Sequence, residues 1–248
     1  MKKNTTLIIL ILVISAFTFQ TDFLSEQKKH ERVKTSIKEK EGIVSQKLKA
    51  KGLSLQNLNI LIIAYKDNDV LDLYVKNKNE VRYSKLESYE ICSRSGELGP
   101  KRKQGDRQVP EGFYFIDRFN PTSLFYLSLG LNYPNQADKK KSAASNLGGD
   151  IFIHGSCVTV GCIPLTDEKI KEIYLYAIHA KNNGQTKIPV YVFPFKMTDQ
   201  NFITYKTKNI DNKTLIAFWT NLKTGFDRFT KNNSEIVFTV DSKGEYVY

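Results

Sequence analysis

The chain has 248 residues, of which 41% are hydrophobic and 25% are charged, and its formal net charge is +11. This length allows one substantial hydrophobic core with an appended segment, and the composition is that of a globular protein without repeats. A basic chain can bind nucleic acid, but no nucleic-acid-binding motif is present and the N-terminus carries an export pattern. The charge instead favours anionic surroundings such as a cell wall or membrane head groups.

Residues 1–20 have the pattern of a signal peptide or an N-terminal anchor. Lys2 and Lys3 precede an apolar run from Leu7 to Phe19, as in secretory signals. The run is short for a bilayer, which favours cleavage over an uncleaved anchor. Loss of residues 1–20 would remove both lysines and leave a net charge of +9. We predict an exported protein of the periplasm or cell envelope, attached to the membrane only if this segment is retained.

Residues 21–54 are predicted to form a helical linker that leads to a catalytic unit. Apolar residues recur in this segment at helical spacing. They form a narrow stripe of Val33, Ile37, Val44 and Leu48. Gly52 ends the pattern. A coiled coil with a partner helix is the alternative, but the stripe is short and is interrupted by Lys40 and Glu41.

From Leu58 the helical spacing gives way to short runs of aromatic and β-branched residues, which predict strands. The predicted strands are 59–65, 70–76, 87–93, 112–118, 123–131, 150–155 and 187–195. Residues 66–69, with the sequence KDND, are predicted to form the hairpin turn between the first two strands. The fold class expected from the residues alone is therefore a β-rich α+β protein.

A helix is predicted to follow residue 166. Thr166 is a suitable N-cap, and Asp167 and Glu168 in the first turn complement the helix dipole. Gly184 is expected to end this helix, because glycine readily adopts the left-handed conformation found just past helix C-termini.

The chain is predicted to be organised as a catalytic domain over residues 55–200 and a C-terminal part over 201–248. A helix is expected at 213–230, followed by a terminal hairpin formed by 235–240 and 245–248. We expect this C-terminal helix and hairpin to pack on the catalytic domain.

The most informative stretch is 150–167, DIFIHGSCVTVGCIPLTD, because it contains the only close grouping of a histidine and a cysteine in the chain. His154 and Cys162 lie eight positions apart. Only a thiolate is strongly nucleophilic, and a neighbouring imidazole can remove the thiol proton. Gly161 frees the backbone just before Cys162, where an amide could approach a developing oxyanion. These residues indicate acyl transfer through a thioester.

Three cysteines cannot all pair within one chain, so an exported chain keeps at least one thiol or pairs between molecules. Cys92, Cys157 and Cys162 do not resemble a disulfide framework. The alternating context of Cys92 favours a buried, inert thiol. Cys157 is interpreted as a loop residue, because a disulfide to Cys162 would silence the site.

The segment around Cys162 resembles the active-site signature of the YkuD-type L,D-transpeptidases, cysteine enzymes of bacterial peptidoglycan. That signature has a His-Gly pair followed, after a loop, by Ser/Thr-x-Gly-Cys. The corresponding residues here are His154-Gly155 and the run Thr159–Cys162, TVGC.

Two departures from the usual signature resemble the YafK-like branch of that family. Val160 stands where the usual pattern has a second histidine, and the loop before it is short. The upstream signature of this branch is echoed by residues 95–121 and 129–138. The resemblance spans about residues 55–200.

The resemblance implies an L,D-transpeptidase-like β-sandwich with mixed sheets, a helix after the catalytic cysteine and a helical C-terminal part. It implies Cys162 as nucleophile, His154 as general base, the Gly155 backbone carbonyl as the group that orients the imidazole, and Gly161 as a backbone oxyanion donor. No cofactor is expected. The expected partners are peptidoglycan stem peptides, cut on the carboxyl side of a diamino-acid residue.

Several alternatives stay open. The thioester can pass its acyl group to an amine, which forms a cross-link, or to water, as in a YafK-like enzyme that releases a wall-attached lipoprotein. We favour transfer because it is widespread in the family. A non-catalytic peptidoglycan-binding module is the alternative of another class. A zinc site from His154, Cys157 and Cys162 is disfavoured because no fourth ligand is evident.

Two further residues are candidates for substrate binding. Arg107 could face the anionic wall peptide or form a surface salt bridge. Tyr133 could pack on the donor peptide or serve as a core aromatic. The basic clusters at 101–103 and 139–141 are interpreted as solvated loops rather than binding patches.

Overall fold

The computed structural model describes residues 22–248, and the predicted signal peptide or anchor at 1–20 lies outside the described residues. The helices are α1 Phe23–Gln27, α2 Glu31–Lys49, α3 Gln136–Lys141, α4 Asp167–Asn182, α5 Asp199–Lys208 and α6 Lys213–Asn232. The strands are β1 Leu58–Tyr65, β2 Val70–Asn77, β3 Ser84–Glu90, β4 Gly112–Asn120, β5 Ser128–Leu131, β6 Phe152–His154, β7 Ile163–Pro164, β8 Ile188–Phe193, β9 Thr239–Val240 and β10 Tyr246–Val247. Among residues 22–248, no helix has both the length and the apolar character needed to cross a bilayer.

Eight strands form one mixed sheet in the order β3-β2-β1-β8-β4-β5-β6-β7, and β9 pairs with β10 in a separate ribbon. The pairs β1–β8 and β6–β7 are parallel, and the remaining neighbours are antiparallel. The predicted α+β fold, with mixed strand directions, a helix after Cys162 and a helical C-terminal part, is confirmed. The mixed strands all belong to this one sheet.

Strand β1 lies near the centre of the sheet and is buried on both faces. Ile60 and Ile62 belong to one hydrophobic cluster, whereas Leu61 and Ile63 belong to the other. Successive side chains of a strand point to opposite faces, and a strand covered on both sides reads as a continuous apolar run rather than an alternating one. This explains the unbroken sequence ILIIA in the middle of the strand.

Helices α2 and α4 cover the first face. Val33, Val44 and Leu48 of α2 are fully buried, and Ile37 packs at the edge of the same cluster. The predicted N-cap of α4 is confirmed, because the Thr166 side chain accepts a hydrogen bond from the Lys169 amide. Helix α4 begins three residues after β7, the strand that follows Cys162. The packing of α4 therefore fixes the C-terminal end of residues 150–167.

Helix α6 and the β9–β10 ribbon cover the second face of the sheet. Trp219 of α6 is buried, and its Nε1 donates to Glu111 Oε2 at 2.9 Å. Asn221 joins α6 to the ribbon through two hydrogen bonds with the backbone of Tyr246. The predicted boundaries at 21–54, 55–200 and 201–248 remain predictions.

Three local predictions differ from the structure. Residues 139–141, interpreted as a solvated loop, form the last turn of helix α3. The strand predicted at 123–131 begins only at Ser128, and Leu124 and Phe125 lie in an exposed turn before it. Helix α5 was not predicted, because none of its residues is buried and its apolar residues form no continuous stripe. Only Phe202 and Tyr205 of α5 pack against the core, and both are partly buried. Two such residues do not give the periodic signal on which a sequence-based prediction depends.

Candidate active site

The β6–β7 pair brings His154 and Cys162 to the same part of the sheet. These strands are parallel, with Ile153 opposite Ile163 and His154 opposite Pro164. Extending this register by one residue places Cys162 opposite Phe152, which points to the same face as His154 because side chains alternate along a strand. The backbone N–H of Phe152 lies 3.4 Å from Cys162 Sγ, in agreement with this placement.

The imidazole of His154 is fixed in one tautomer by the backbone. Its Nδ1 lies 2.5 Å from the carbonyl oxygen of Gly155, and the ring packs on Phe125 at a centroid distance of 4.6 Å. A carbonyl oxygen can only accept a hydrogen bond, so Nδ1 carries the proton and Nε2 has a free lone pair. Burial lowers the pKa of His154, and the Gly155 carbonyl opposes this shift. The ring is therefore neutral at neutral pH and has the form of a base.

Close packing explains why position 155 is a glycine. A Cβ atom there would lie 2.5 Å from Asp167 Oδ1 and 2.9 Å from the carbonyl oxygen of Phe125. Asp167 Oδ1 also accepts a hydrogen bond from the Ser156 amide at 2.9 Å. The first residue of α4 thus holds the turn that follows His154.

Cys162 is the only free cysteine among the described residues and is half-buried. Its thiol donates to the carbonyl oxygen of Asp150 at 3.5 Å while Sγ accepts from Phe152. Burial raises the pKa of Cys162, and the Phe152 N–H and Lys101 oppose this shift. The resting pair is therefore a neutral thiol and a neutral imidazole.

The two amides next to the thiol are held by hydroxyl groups in this structure. The Gly161 N–H donates to Ser95 Oγ at 2.7 Å, and the Cys162 N–H donates to Thr159 Oγ1 at 2.9 Å. Gly161 has φ +106°, a conformation that side-chain-bearing residues rarely adopt. The role of Gly161 as an oxyanion donor remains a prediction, and it requires Ser95 to give up this amide.

Cys162 opens onto a pocket of about 580 Å³. Its opposite wall is formed by residues 93–98 and by the 66–69 turn. Lys66 anchors this wall, because its Nζ bonds the carbonyl oxygens of Glu97, Gly99 and Val109 at 2.8–3.0 Å. The same ammonium pairs with Glu111 Oε1 at 2.9 Å, and the Glu111 side chain is fully buried. Sequence analysis missed this pair, since the two residues are 45 positions apart and nothing in the sequence links the turn that holds Lys66 to the stretch that holds Glu111.

The interpretation of Cys92 as a buried, inert thiol is wrong, because Cys92 and Cys157 form a disulfide. Cys92 follows β3, and Cys157 lies in the loop between His154 and Cys162. The bond therefore joins the two walls of the pocket and leaves Cys162 as the thiol. It also removes Cys157 as a thiolate ligand, so the zinc alternative loses one of its three residues.

Tyr133 lies in the core and not in the pocket wall. It is only 5% exposed, and its hydroxyl donates toward the carbonyl oxygens of Lys101 and Leu147 at 3.4 and 3.3 Å. Its placement matches the core-aromatic alternative rather than contact with a donor peptide. Arg107 is exposed and has φ +58°. No ion pair is found for Arg107 within residues 22–248, and its binding role remains a prediction.

The interpretation of residues 101–103 as a solvated loop is wrong at its first position. Lys101 is only 6% exposed and pairs with Asp106 Oδ1 at 2.6 Å. Asp106 Oδ2 also accepts from the amides of Arg102 and Lys103. An acidic residue five positions away thus turns a run of three cations into a folded loop beside Cys162.

The model of the family "YkuD: L,D-transpeptidase catalytic domain" matches residues 59–192. The chain is 37% identical over 190 residues to "Putative L,D-transpeptidase YafK" of Escherichia coli (strain K12), over 76% of this chain and 73% of that protein. The YafK protein of Escherichia coli O157:H7 matches with the same identity and coverage.

Two solved structures of the helical cell shape determining protein Pgp2 from Campylobacter jejuni are also similar. One has a TM-score of 0.45 and 19% identity, and covers 74% of this chain and 73% of that chain. The other, a mutant form, has a TM-score of 0.44 and 22% identity over 69% of this chain. The chain spans 59% of the length of that second structure, so the activity of the longer protein does not transfer with the similarity.

Proposed function

Because the chain belongs to the YkuD family of L,D-transpeptidase catalytic domains, we propose that it is a peptidoglycan L,D-transpeptidase that works through a thioester on Cys162. The observation that carries the proposal is the contact of the His154 ring with the backbone. Its Nδ1 is engaged by the Gly155 carbonyl, which leaves Nε2 as the base on the face shared with Cys162. The family acts on the peptide part of the bacterial wall, so the donor is a stem peptide.

In the proposed reaction His154 Nε2 takes the Cys162 proton as the sulfur attacks the amide carbonyl at the carboxyl side of a diamino-acid residue. The raised thiol pKa supports proton removal during attack rather than a preformed thiolate. The tetrahedral oxyanion is bound by the Gly161 N–H once Ser95 releases it. His154 then returns the proton to the leaving amine, and the acyl group remains on sulfur.

The second step is transfer of the acyl group to an amine acceptor. Hydrolysis is the second candidate, and the exposure of the loop beside Cys162 supports it. Val158 and Val160 in this loop are 57% and 73% exposed. Val160 therefore does not pack beneath the site, and the thioester lies next to an open rim that water can reach. The release of a wall-attached lipoprotein belongs to this hydrolytic alternative.

The test is to incubate the purified chain with defined soluble muropeptides and to analyse the products by mass spectrometry. With a diamino-acid acceptor present, we expect products in which the acceptor amine has replaced the leaving residue. Products containing only the free acid, at a yield insensitive to the acceptor, would establish the hydrolase. Unchanged muropeptides with both the native chain and Cys162→Ala would support the non-catalytic binding module.

A further inference from the structure

A second groove, larger than the Cys162 pocket, lies on the other side of the loop that links β3 to β4. Its open volume is about 1320 Å³. Its charged residues come from the 101–103 loop, α3, the start of α6 and the β9–β10 turn. They are Arg102, Lys140, Lys141, Lys213, Lys243 and Glu245.

The groove carries an excess of positive charge. Lys141 pairs with Glu245, and Arg102 pairs at 3.2 Å with Asp138, which is buried. The Lys140 ammonium bonds a backbone carbonyl of Asp241 at 2.6 Å, which leaves its charge in place. The five cations are those of Arg102, Lys140, Lys141, Lys213 and Lys243. The carboxylates are only three, those of Glu245, Asp138 and Asp241. Two exposed cations in particular, Lys213 and Lys243, have no ion-pair partner within residues 22–248.

The floor of this basic groove is apolar. Leu215 and Phe218 line it, and the Arg102 guanidinium lies 5.2 Å above the Phe218 ring. Phe218 is 6% exposed, so it contributes to the floor without projecting from the surface. A concave site with an apolar floor and a cationic rim fits a ligand whose carboxylates are carried on short aliphatic segments. A flat membrane surface cannot reach this floor.

One loop separates the basic groove from the Cys162 pocket. Residues 93–98 line the pocket, whereas Pro100 and Arg102 line the groove. Gly99 between them is fixed on both sides, because its N–H bonds Glu111 and its carbonyl accepts from Lys66. The two sites therefore keep a fixed relation on either side of this loop.

We propose that the basic groove binds a second, carboxylate-bearing peptide segment of the wall strand whose stem peptide enters the Cys162 pocket. This inference rests on the proposed function, because it takes the ligand of the pocket to be peptidoglycan. The recognised chemistry is a pair of carboxylates held by Lys213 and Lys243 over an apolar floor. The groove would thus prefer polymeric wall to a single soluble muropeptide.

The test measures binding of the full chain to purified peptidoglycan sacculi by co-sedimentation. All variants carry Cys162→Ala so that the wall is not cut. The groove variant adds Lys213→Gln and Lys243→Gln. The matched control adds Lys38→Gln and Lys51→Gln, which removes the same charge from two exposed lysines that have no ion pair among the described residues. Sacculi whose carboxylates have been amidated, and phosphatidylglycerol vesicles, serve as the comparison ligands.

We expect the groove variant to bind native sacculi about 5-fold more weakly than the control, since two partly exposed ion pairs of this kind contribute on the order of 1 kcal/mol together. The difference should shrink at high salt and vanish on amidated sacculi. Equal binding by the two variants would overturn the proposal. Tighter binding to the vesicles through the same lysines would overturn it in favour of a membrane partner.

Turnover of a soluble muropeptide by the chain with Cys162 intact is measured in parallel. Absence of turnover counts against the proposed function, whereas equal sacculus binding by groove variant and control counts against the groove alone. The two failures are therefore distinguishable.

Discussion

The two walls of the Cys162 pocket are held in different ways. In residues 150–167 the reactive side chains are positioned by backbone groups close in sequence, such as the Gly155 carbonyl and the Phe152 N–H. In residues 91–111 the wall is held by contacts between distant positions. These are Lys66–Glu111, Cys92–Cys157, Ser95–Gly161 and Glu111–Trp219, which are 45, 65, 66 and 108 residues apart. The reactive groups are thus local in sequence, while the shape of the pocket depends on the whole fold.

The largest effect on rate is expected where one of the reactive side chains of residues 150–167 is removed. His154→Ala should slow acylation of Cys162 by about 10²–10⁴-fold, the usual cost of losing a general base, with little loss of folded protein. The rate of acyl-enzyme formation is followed by mass spectrometry. His30→Ala, at the distant N-cap of α2, is the control. A rate within twofold of the native value would show that another group removes the proton.

The distant wall should fail by loss of stability. Lys66→Met leaves the Glu111 carboxylate buried without its ammonium partner, which should lower the free energy of unfolding by about 3–5 kcal/mol. Denaturant unfolding measures this loss. The control is Lys34→Met, because the Lys34–Glu31 pair is exposed at both ends and contributes below about 1 kcal/mol. Similar values for the two variants would mean that Lys66 does not hold the wall.

The disulfide joins the two walls, so its removal tests their independence. Cys157→Ser should lower stability by up to about 4 kcal/mol for a loop of this length, yet keep a substantial rate of acylation in the folded protein. Cys92→Ser should have the same effect, and the double variant should be no worse than either single variant. Complete loss of acylation by folded Cys157→Ser would place Cys157 in the chemistry.

The features that sequence analysis predicted correctly are those with a local signal. The hairpin turn at 66–69, the Thr166 cap and the strand at 59–65 each depend on residues within a few positions of one another. The disulfide partner of Cys92 has no such signal, since an alternating strand context is equally compatible with packing. The same holds for Lys101, whose burial depends on how Asp106 folds back onto it.

The smallest expected effect is a change in the rate of Cys162 acylation with pH. Burial lowers the pKa of His154 from the usual 6.5 and raises that of Cys162 from 9.0, and in both residues it favours the neutral form. Acylation should therefore rise with pH through a midpoint below pH 6.5, as the imidazole loses its proton. Alkylation of Cys162 by iodoacetamide should increase mainly above pH 9. Fast alkylation at pH 6–7 would instead indicate a thiolate–imidazolium pair.

The most direct test of the central claim is to locate the acyl group. The native chain is incubated with a carbapenem as the acylating agent, and the adduct is mapped by peptide mass spectrometry. We expect a single adduct on Cys162 in the native chain and in Cys157→Ser, slower formation in His154→Ala, and none in Cys162→Ala. An adduct on Cys157, or one that persists in Cys162→Ala, would contradict the assignment of Cys162 as the nucleophile.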